Sequence, residues 1–416
     1  MISVITPHYA GSNRFIEETY ESLLEQTFPN WEWVVILNNG GLISDRIKAD
    51  SRAKVIAYPN ADSRIGALKR FACQQATGDI IVELDSDDML TPNALEEITK
   101  AFNQHPDIPF VFSNDAEFED GTWKPNCYSA YWGWVNRPWE YKGHKLIEQV
   151  AMPACPQALR AIFWAPNHVR AWRAKDYAAI GGHNPEYGVV DDYDLCCRFY
   201  LHAPMHHIDK PLYLYRRHAA NTTTVRNKEI QDGNAAIYPR YIIPMVETWA
   251  RRLALPMLDL GGGIAKPAGY TSIDRFNGDI IHDLGQGIPY SDSSVGVIRA
   301  YDFVEHIHDS VTLMNEIYRV LVPGGWLLLS IPSTDGRGAY QDPTHVTFWN
   351  ENSIMYYTDP NVARYVRDIS CKFQNSRTLT WFPSDWHKQH NVPYVDSQLI
   401  AIKSGYKLIG ENLWQV

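Results

Sequence analysis

A short apolar segment that ends in clustered aspartates constrains this chain more than any other feature. Residues 80–92 read IIVELDSDDMLTP, in which a β-prone run leads into Asp85, Asp87 and Asp88. In an open α/β sheet, ligands bind outside the carboxyl ends of the strands. Carboxylate oxygens suit Mg²⁺ or Mn²⁺, and such an ion neutralises a diphosphate. We therefore predict a metal site at a sheet edge. The alternative is an acidic helix cap, although a cap needs only one aspartate.

The length of the chain and the order of its segments predict two domains. At 416 residues the chain exceeds one ordinary domain. In the first half, strand-like and helix-like segments alternate, which predicts a largely parallel sheet. A second α/β pattern begins at PMLDLGGG, residues 256–263. We therefore expect an α/β fold with a first domain at residues 1–225, a helical linker at 226–253 and a second domain at 254–416.

Composition and charge limit the classes of protein that fit. The net charge of −10 argues against a dedicated nucleic-acid-binding protein, because such proteins carry a basic face. The six cysteines form no CxxC pair and are typical of reduced thiols in the cytoplasm. The sequence shows no leader-like start and no run of the ~18 apolar residues that a membrane span needs. We therefore expect a cytoplasmic protein without a membrane span.

Five segments follow one another in an order that is typical of one enzyme family. They are VITPHY, ALKRFACQQATGD, LDSDD, the Gly181–Gly182 pair, and VVDDYDLCCR followed by YLYRRH. Together they make residues 1–225 resemble the family 2 glycosyltransferases, which have the Rossmann-like GT-A fold. The resemblance implies an inverting enzyme that moves a sugar from a nucleotide-diphosphate donor to an acceptor hydroxyl. A divalent ion and cationic side chains would stabilise the negative charge of the leaving diphosphate.

The resemblance assigns the metal site to the aspartate cluster. Asp87 and Asp88 would ligate Mn²⁺ or Mg²⁺, and Asp85 would lie near the ribose or the metal. His218, in the segment YRRH, is a candidate third ligand, because some GT-A enzymes supply a histidine from this region. An ordinary surface histidine is the alternative for His218.

A departure from the family pattern concerns the base of the donor. The family usually has an aspartate after the second strand, where this chain has Asn38 or Asn39. A carboxylate only accepts hydrogen bonds, whereas an amide also donates them, so the usual uridine preference is not implied. The other donor-site candidates are Thr6, Pro7 and Tyr9 for the nucleoside, and Lys69, Arg70 and Arg216 for the diphosphate unless these cations are simply solvated.

Sugar transfer needs a base, because an acceptor hydroxyl is a poor nucleophile. By resemblance, Asp192 aligns with the catalytic aspartate and Asp191 with the glutamate that commonly precedes it. Helix capping is the alternative for Asp191. An aromatic-rich region shapes the acceptor site in this family. The candidates to stack on a glycan, rather than pack within their own domain, are Trp132, Trp134 and Trp139.

The second half contains the elements of a nucleotide-like cofactor site. The segment MLDLGGGIAKPAGYTSIDR predicts a strand, a glycine turn and a second strand that ends at Asp274. This spacing is too compact for the longer helix of a nicotinamide site. With VEHI and RVLVPGG, the region from about residue 235 to the end resembles the class I S-adenosylmethionine-dependent methyltransferases, which also have a Rossmann-like fold.

The methyltransferase resemblance implies roles for several residues. A sugar hydroxyl would again need a base, for which the candidates are His306, His345, Asp335 and Asp342. We favour His345, with a structural histidine as the alternative. The implied cofactor-binding residues are Asp259, Gly261 and Gly263 in the first motif, Asp274 at the ribose, Asp283 and Leu284 at the adenine, and Asp302 or Phe303 at the methionine.

These features together predict a bifunctional enzyme of polysaccharide biosynthesis. One half would transfer a sugar to a glycan or glycolipid, and the other would methylate a hydroxyl of the same product. Tethering raises the effective concentration of that product at the second site. The alternatives are glycosylation of modified nucleobases in DNA, and a second half that binds the cofactor only to dock the acceptor.

Overall fold

The computed structural model describes residues 1–60, 64–411 and 413–414. The chain forms two compact units, Met1–Met245 and Val246–Val416, and each is built around a β-sheet with helices. The α/β fold class predicted from the sequence is therefore confirmed. No described helix is long and apolar enough to cross a bilayer.

The sheet of the first unit places the ends of its central strands side by side. Its strands are β1 (Ile2–His8), β2 (Trp31–Leu37), β3 (Ala53–Ala57), β4 (Ile80–Glu83), β5 (Met89–Leu90), β6 (Phe110–Glu119), β7 (Val135–Tyr141), β8 (His144–Val150), β9 (Arg170–Arg173) and β10 (Met205–Arg217). They pair in the order β3-β2-β1-β4-β9-β6-β10-β5, and the hairpin of β7 and β8 joins β6. Because β1 is parallel to both β2 and β4, the carboxyl ends of these strands meet at one edge.

Helices cover both faces of this sheet. They are α1 (Ile16–Leu24), α2 (Asp45–Lys48), α3 (Ile65–Gln75), α4 (Ala94–Gln104), α5 (Pro156–Leu159), α6 (Ala174–Ala179), α7 (Asp191–His202), α8 (Thr222–Val225) and α9 (Asn227–Arg252), with 3₁₀ turns at Ala10–Ser12 and Ala130–Trp132. On β1, Val4 belongs to the apolar cluster that includes α1 and α4, whereas Ile5 belongs to the cluster that includes α3 and α7. Successive side chains of a strand point to opposite faces, so the sheet lies between two helical layers.

The segment that the sequence suggested as a linker, residues 226–253, forms one helix. This helix, α9, contains Pro239 and Pro244 and runs without interruption between its bounds. The division between the two compact units falls inside it, after Met245. Residues 227–245 of the helix therefore belong to the first unit, and residues 246–252 belong to the second.

The second unit has a sheet with a parallel core. Its strands are β11 (Met257–Leu260), β12 (Thr271–Asp274), β13 (Ile280–Ile281), β14 (Val295–Tyr301), β15 (Leu321–Pro332), β16 (Phe373–Trp381) and β17 (Tyr394–Ala401), paired in the order β13-β12-β11-β14-β15-β17-β16. The strands from β13 to β15 are parallel, and β17 and β16 are antiparallel additions. Its helices are α10 (Ser310–Val320), α11 (Gly338–Gln341), α12 (Glu351–Thr358), α13 (Pro360–Ala363) and α14 (Asp385–Gln389), with 3₁₀ turns at Leu284–Gln286 and Val304–His306.

Candidate active sites

The loop between β4 and β5 brings one of the predicted metal ligands, Asp87, next to a residue that follows β10. Asp85 and Asp87 lie in this loop, and Nε2 of His218 is 2.9 Å from Oδ2 of Asp87. The His218 ring is held in place by Phe15, with 4.8 Å between the ring centroids. Carboxylate oxygens and an imidazole nitrogen are ligands that Mn²⁺ accepts. Asp87 and His218 therefore fit a divalent ion, and Asp85 lies in the same loop.

Asp88 faces the interior, so its predicted role as a metal ligand is wrong. It is only 1% exposed. The Tyr213 hydroxyl donates to Oδ2 and the backbone N–H of Arg216 donates to Oδ1, both at 2.7 Å. Both carboxylate oxygens are thus used to fix the loop against β10. The side chain one position earlier, Asp87, remains available.

Lys69 lies inside the first unit rather than at a diphosphate, which corrects its predicted role. Its ammonium contacts the Glu83 carboxylate and is 3.6 Å from Oδ2 of Asp191. Burial raises the pKa of Glu83, but Lys69, His168 and Arg170 outweigh that effect and hold this pKa well below its usual range. The positive charge of Lys69 is therefore neutralised within the protein.

Asp191 also belongs to this interior cluster, so its predicted place in the catalytic site is wrong. It is 2% exposed, and burial raises the pKa of its carboxyl to about 7. A carboxylate that faces Lys69 inside the unit cannot reach an acceptor hydroxyl. Asp191 therefore serves as a buried partner of the Lys69 ammonium.

The two predicted arginines are held by other groups and do not form a phosphate clamp. Arg70 donates to the carbonyls of Gly181 and His183 at 2.8 and 2.9 Å. Arg216 is 3% exposed and pairs with Glu18 and Asp120 at 2.8 and 3.0 Å. Nε of Arg216 also donates to the backbone carbonyl of Asp87 at 2.8 Å. Arg216 therefore fixes the metal loop and does not bind phosphate.

The end of β2 forms a cavity that suits a nucleobase. The cavity has a volume of about 230 Å³ and is lined by Leu37, Asn38, Asn39, Gly40, Gly41, Tyr58 and Asn60. Tyr58 offers a ring face, and the asparagine side chains offer both donors and acceptors. The sequence analysis identified Asn38 and Asn39 here but missed Tyr58 and Asn60, because β3, which brings them to the cavity, was not predicted.

The nucleoside candidates on β1 divide into one core residue and two half-buried ones. Thr6 is fully buried, donates to the Leu84 carbonyl and accepts from Trp33 Nε1, both at 2.8 Å. Its predicted place in the pocket lining is wrong, because its hydroxyl is used inside the sheet. Pro7 and Tyr9, farther toward the carboxyl end of β1, are half-buried.

Asp192 presents a carboxylate at the start of α7. Its side chain is 27% exposed, and its Oδ2 accepts from Nη1 of Arg170 at 3.0 Å. Arg170, on β9, is 1% exposed and donates to the carbonyls of Trp164 and Pro166 at 2.7 and 2.8 Å. The guanidinium therefore orients the carboxylate. Sequence reasoning missed Arg170, although an arginine in the strand segment RAWR is unusual enough to be a signal.

The tryptophans predicted for the acceptor site differ in exposure. Trp134 is 5% exposed and packs on Tyr128, with 4.5 Å between ring centroids, so it is not available to a glycan. Trp132 is 38% exposed. Trp139 is half-buried against Tyr141. Of the three, Trp132 has the most open ring.

The glycine turn after β11 has the shape of a cofactor cradle. Gly261 and Gly263 have φ angles of +71° and +53°. A Cβ on Gly261 would lie 2.2 Å from the Phe303 ring, and one on Gly262 would lie 2.1 Å from Oδ2 of Asp259. Asp259 is buried and both its oxygens accept from Nη1 of Arg299, so it shapes the turn and does not face a ligand. Only glycine fits this backbone.

Asp274 lies at the end of β12 with one oxygen directed toward that turn. Oδ1 accepts from the N–H groups of Phe276 and Asn277 at 2.8 and 3.0 Å. Oδ2 is 4.0 Å from the position of a Cβ on Gly263. Asp274 therefore fits the ribose role, since a carboxylate oxygen there can accept from hydroxyl groups.

One of the two residues predicted to flank the adenine lies in the apolar core. Asp283 caps the turn Leu284–Gln286 and accepts from the N–H of Gly285 at 3.0 Å. The side chain of Leu284 is 7% exposed and lies in the main apolar cluster of this unit. Its side chain is therefore not free to flank an adenine.

The carboxyl end of β14 carries a strained residue and several candidate bases. Asp302 has a φ of +49°, and its Oδ1 accepts from the Tyr394 hydroxyl at 2.8 Å. Such strain concentrates at functional sites. His306 and His345 lie side by side, with 5.0 Å between their ring centroids. The buried carboxylate of Glu305, which the sequence analysis did not select, lies beside them.

The two aspartates proposed as alternative bases are held within their own loop. Asp342 accepts from the Thr344 hydroxyl at 2.6 Å. Asp335 accepts from the Ser333 hydroxyl at 2.8 Å. In His345, Nδ1 contacts the Ala339 carbonyl at 2.9 Å. None of the described residues forms a hydrogen bond with the other ring nitrogen, Nε2.

Comparison with known families agrees with this division. Residues 3–163 match glycosyl transferase family 2, and residues 265–329 match a methyltransferase domain. These families generally use a divalent metal and S-adenosylmethionine. Asp87 and His218 fit the former, and the glycine cradle with Asp274 fits the latter.

Several known proteins are similar to about half of this chain. The O-antigen biosynthesis protein RfbC of Myxococcus xanthus is 24% identical over 53% of this chain and 16% of its own length. The putative glycosyltransferase EpsH of Bacillus subtilis is 24% identical over 57% of this chain and 67% of its own length. The chondroitin synthase of Pasteurella multocida is 27% identical over 56% of this chain and 22% of its own length. The chain therefore spans less than a quarter of two of these relatives.

The matched segments lie within the two compact units, one in each. The chain therefore has a segment that matches glycosyl transferase family 2, followed by a segment that matches a methyltransferase domain.

Proposed function

We propose that the first unit transfers a sugar from a nucleotide-diphosphate donor to a hydroxyl of a glycan or glycolipid. The observation that carries this proposal is the contact of Asp87 with His218 beyond the end of β4, together with the nucleobase-sized cavity at the end of β2. The printed names of the relatives support polysaccharide assembly as the setting. A divalent ion bound here would neutralise the leaving diphosphate.

The mechanism follows from the positions of the other side chains. The asparagines and Tyr58 would bind the base, and Asp192 would take the proton of the acceptor hydroxyl as its oxygen attacks the anomeric carbon. The bond between that carbon and the diphosphate oxygen breaks, and its electron pair stays with the diphosphate. Arg170 holds Asp192 in one orientation, so the carboxylate need not reorganise during attack.

The donor proposal predicts metal-dependent binding that needs Asp87. A screen of uridine, guanosine and thymidine diphosphates by thermal shift should show a stabilisation that requires Mn²⁺. At a ligand concentration of 100 Kd the stabilisation amounts to about 2.7 kcal/mol. Asp87→Asn should lose the Mn²⁺-dependent part, since one metal ligand is gone.

The fully exposed Asp45 provides the matched control for this experiment. Asp45→Asn should behave like the wild type. A Mn²⁺-dependent shift that survives in Asp87→Asn would move the metal site away from the β4–β5 loop. The identity of the nucleotide that binds also decides the base preference of the cavity.

We further propose that the second unit binds S-adenosylmethionine and methylates a hydroxyl, on the same glycan. The acceptor oxygen would form a bond to the methyl carbon, while the carbon–sulfur bond breaks and its electron pair returns to sulfur. The proton of the hydroxyl would be lost to solvent at the carboxyl edge of the sheet, where His345, His306 and Glu305 lie. Radiolabelled methyl groups from the cofactor should appear in the glycosylated product, and a docking-only unit would show none.

Binding of S-adenosylmethionine should depend on Asp274. Loss of a carboxylate that accepts from two ribose hydroxyls costs about 1.5–3 kcal/mol, so Asp274→Ala should weaken the cofactor about 10- to 100-fold in calorimetry. Asp385→Ala, in an exposed helix of the same unit, is the matched control. Unchanged affinity in Asp274→Ala would contradict the assignment, and unchanged sugar transfer in that variant would show that the two activities are separate.

The rival acceptor, a modified base in DNA, makes an opposite prediction. A net charge of −10 disfavours it. Retention on DNA that falls steeply with salt would favour this rival over a glycan acceptor.

A further inference from the structure

Three side chains of the second unit form a compact group at the carboxyl edge of its sheet. Glu305 and His306 belong to the turn Val304–His306 that follows β14, and His345 lies in the loop that follows β15. One ligand atom from each residue lies within 4.8 Å of the other two. The backbone joins the two segments, since the N–H groups of Val346 and Thr347 donate to the Glu305 carbonyl at 2.8 and 3.0 Å. The group is therefore positioned before any ligand arrives.

Each histidine has one ring nitrogen fixed and the other free. Nδ1 of His345 is 2.9 Å from the Ala339 carbonyl, and Nδ1 of His306 is 3.1 Å from the Thr344 carbonyl. A carbonyl only accepts, so we assign the proton of each ring to Nδ1. Nε2 of each ring then carries a lone pair, on the side of the ring away from the carbonyl contact. Proteins orient imidazole metal ligands in the same way.

The carboxylate of Glu305 is buried, and no described side chain donates a hydrogen bond to it. The residue is 2% exposed, and the donors beside its carboxylate are the backbone N–H groups of Glu305 and Phe303. Burial raises the pKa of the Glu305 carboxyl, and the negative charges of the neighbouring Asp302 and Asp342 raise this pKa further. An ionised carboxylate buried in this way is costly unless a cation or donors compensate it. The described side chains around it supply no cation.

We propose that Glu305, His306 and His345 bind one divalent transition-metal ion. Two imidazoles and one carboxylate suit zinc, manganese or iron better than Mg²⁺, which prefers oxygen ligands. The ion satisfies the buried carboxylate and uses both free Nε2 atoms. Three protein ligands leave coordination positions open, as in catalytic metal sites.

An ion bound by these three residues would lie beside the segment that contacts the cofactor cradle of the second unit. Asp302 and Phe303 immediately precede the turn, and Phe303 lies against the Gly261 position of the cofactor cradle. An open coordination position would take an oxygen of the methyl acceptor and favour loss of its proton. This use rests on the proposed methyl transfer, whereas the existence of the site does not.

The test is a metal titration of the full chain from which the first site has been removed. In an Asp87→Asn, His218→Ala background, the metal-free protein is titrated with Zn²⁺ by calorimetry and with Co²⁺ by visible absorption. We expect one equivalent of each ion, and a Co²⁺ spectrum characteristic of imidazole ligation. His345→Ala and Glu305→Gln should each weaken Zn²⁺ by at least about tenfold, a size typical even of lost supporting contacts at metal sites.

Controls separate the site from general histidine binding and from misfolding. His390→Ala, which removes a histidine bonded only to the Trp386 carbonyl, should leave the titration unchanged. Far-ultraviolet circular dichroism establishes that each variant is folded, and His345→Gln replaces His345→Ala if the latter is not. Absence of stoichiometric uptake, or uptake that neither the His345 nor the Glu305 substitution weakens, overturns the proposal. Metal binding without methyl transfer overturns only the proposed function.

Discussion

Asp192→Asn should abolish sugar transfer while the protein still binds its donor. The amide keeps the shape of the side chain and can still accept from Arg170, but it cannot take a proton from the acceptor hydroxyl. General base catalysis contributes about 10²- to 10⁴-fold, so kcat should fall by that factor. Nucleotide release from the donor in the presence of a glycan acceptor measures the rate. Thermal shift with nucleotide and Mn²⁺ measures binding, which should be unchanged.

Asp191→Asn is the informative companion to this variant. The two aspartates are adjacent, yet Asp191 is buried against Lys69 whereas Asp192 is partly exposed. We therefore expect Asp191→Asn to keep its turnover, and Asp192→Glu to recover part of the activity lost in Asp192→Asn. A loss of turnover confined to Asp191→Asn would move the base by one residue and contradict the geometry.

The contrast between these neighbours shows what the sequence could predict and what it could not. The segment IIVELDSDD predicted a strand and a carboxylate cluster at its end, and β4 with its loop agrees. It could not show that Asp87 faces His218 while Asp88 turns inward to Tyr213 and Arg216. Ser86 and Asp87 lie in a turn, in which the N–H of Asp88 donates to the Asp85 carbonyl at 3.2 Å, so neighbouring side chains leave the backbone in different directions. The motif therefore predicts which loop carries the site, but it does not predict which side chains of that loop face the ligand.

Elements without a strong apolar pattern were the other source of error. The strand β3 has the burial pattern of a half-exposed strand, and β7 contains many exposed residues. Neither produced a signal, so the Tyr58 side of the cavity was missed. Buried partners such as Arg170 and Glu305 were missed for a different reason. Their importance depends on contacts with residues far away in sequence, which periodicity does not report.

Lys69→Met should destabilise the first unit strongly and leave the donor affinity of the remaining folded protein unchanged. The substitution removes the cation that faces Glu83 and Asp191 inside the unit, and both carboxylates are at most 2% exposed. Breaking a buried ion pair by removing one partner costs about 3–5 kcal/mol, because the other charge stays buried without compensation. Urea unfolding, followed by tryptophan fluorescence, measures the free energy of unfolding.

Two further variants identify the cause of that loss. Lys54 is exposed and donates only to the Gln75 carbonyl, so Lys54→Met should change the free energy of unfolding by less than about 0.5 kcal/mol. Adding Glu83→Gln to Lys69→Met should recover part of the stability, since it removes one uncompensated buried charge. If Lys69 instead contacted the diphosphate, Lys69→Met would raise the KM for the donor, leave stability intact, and gain nothing from Glu83→Gln.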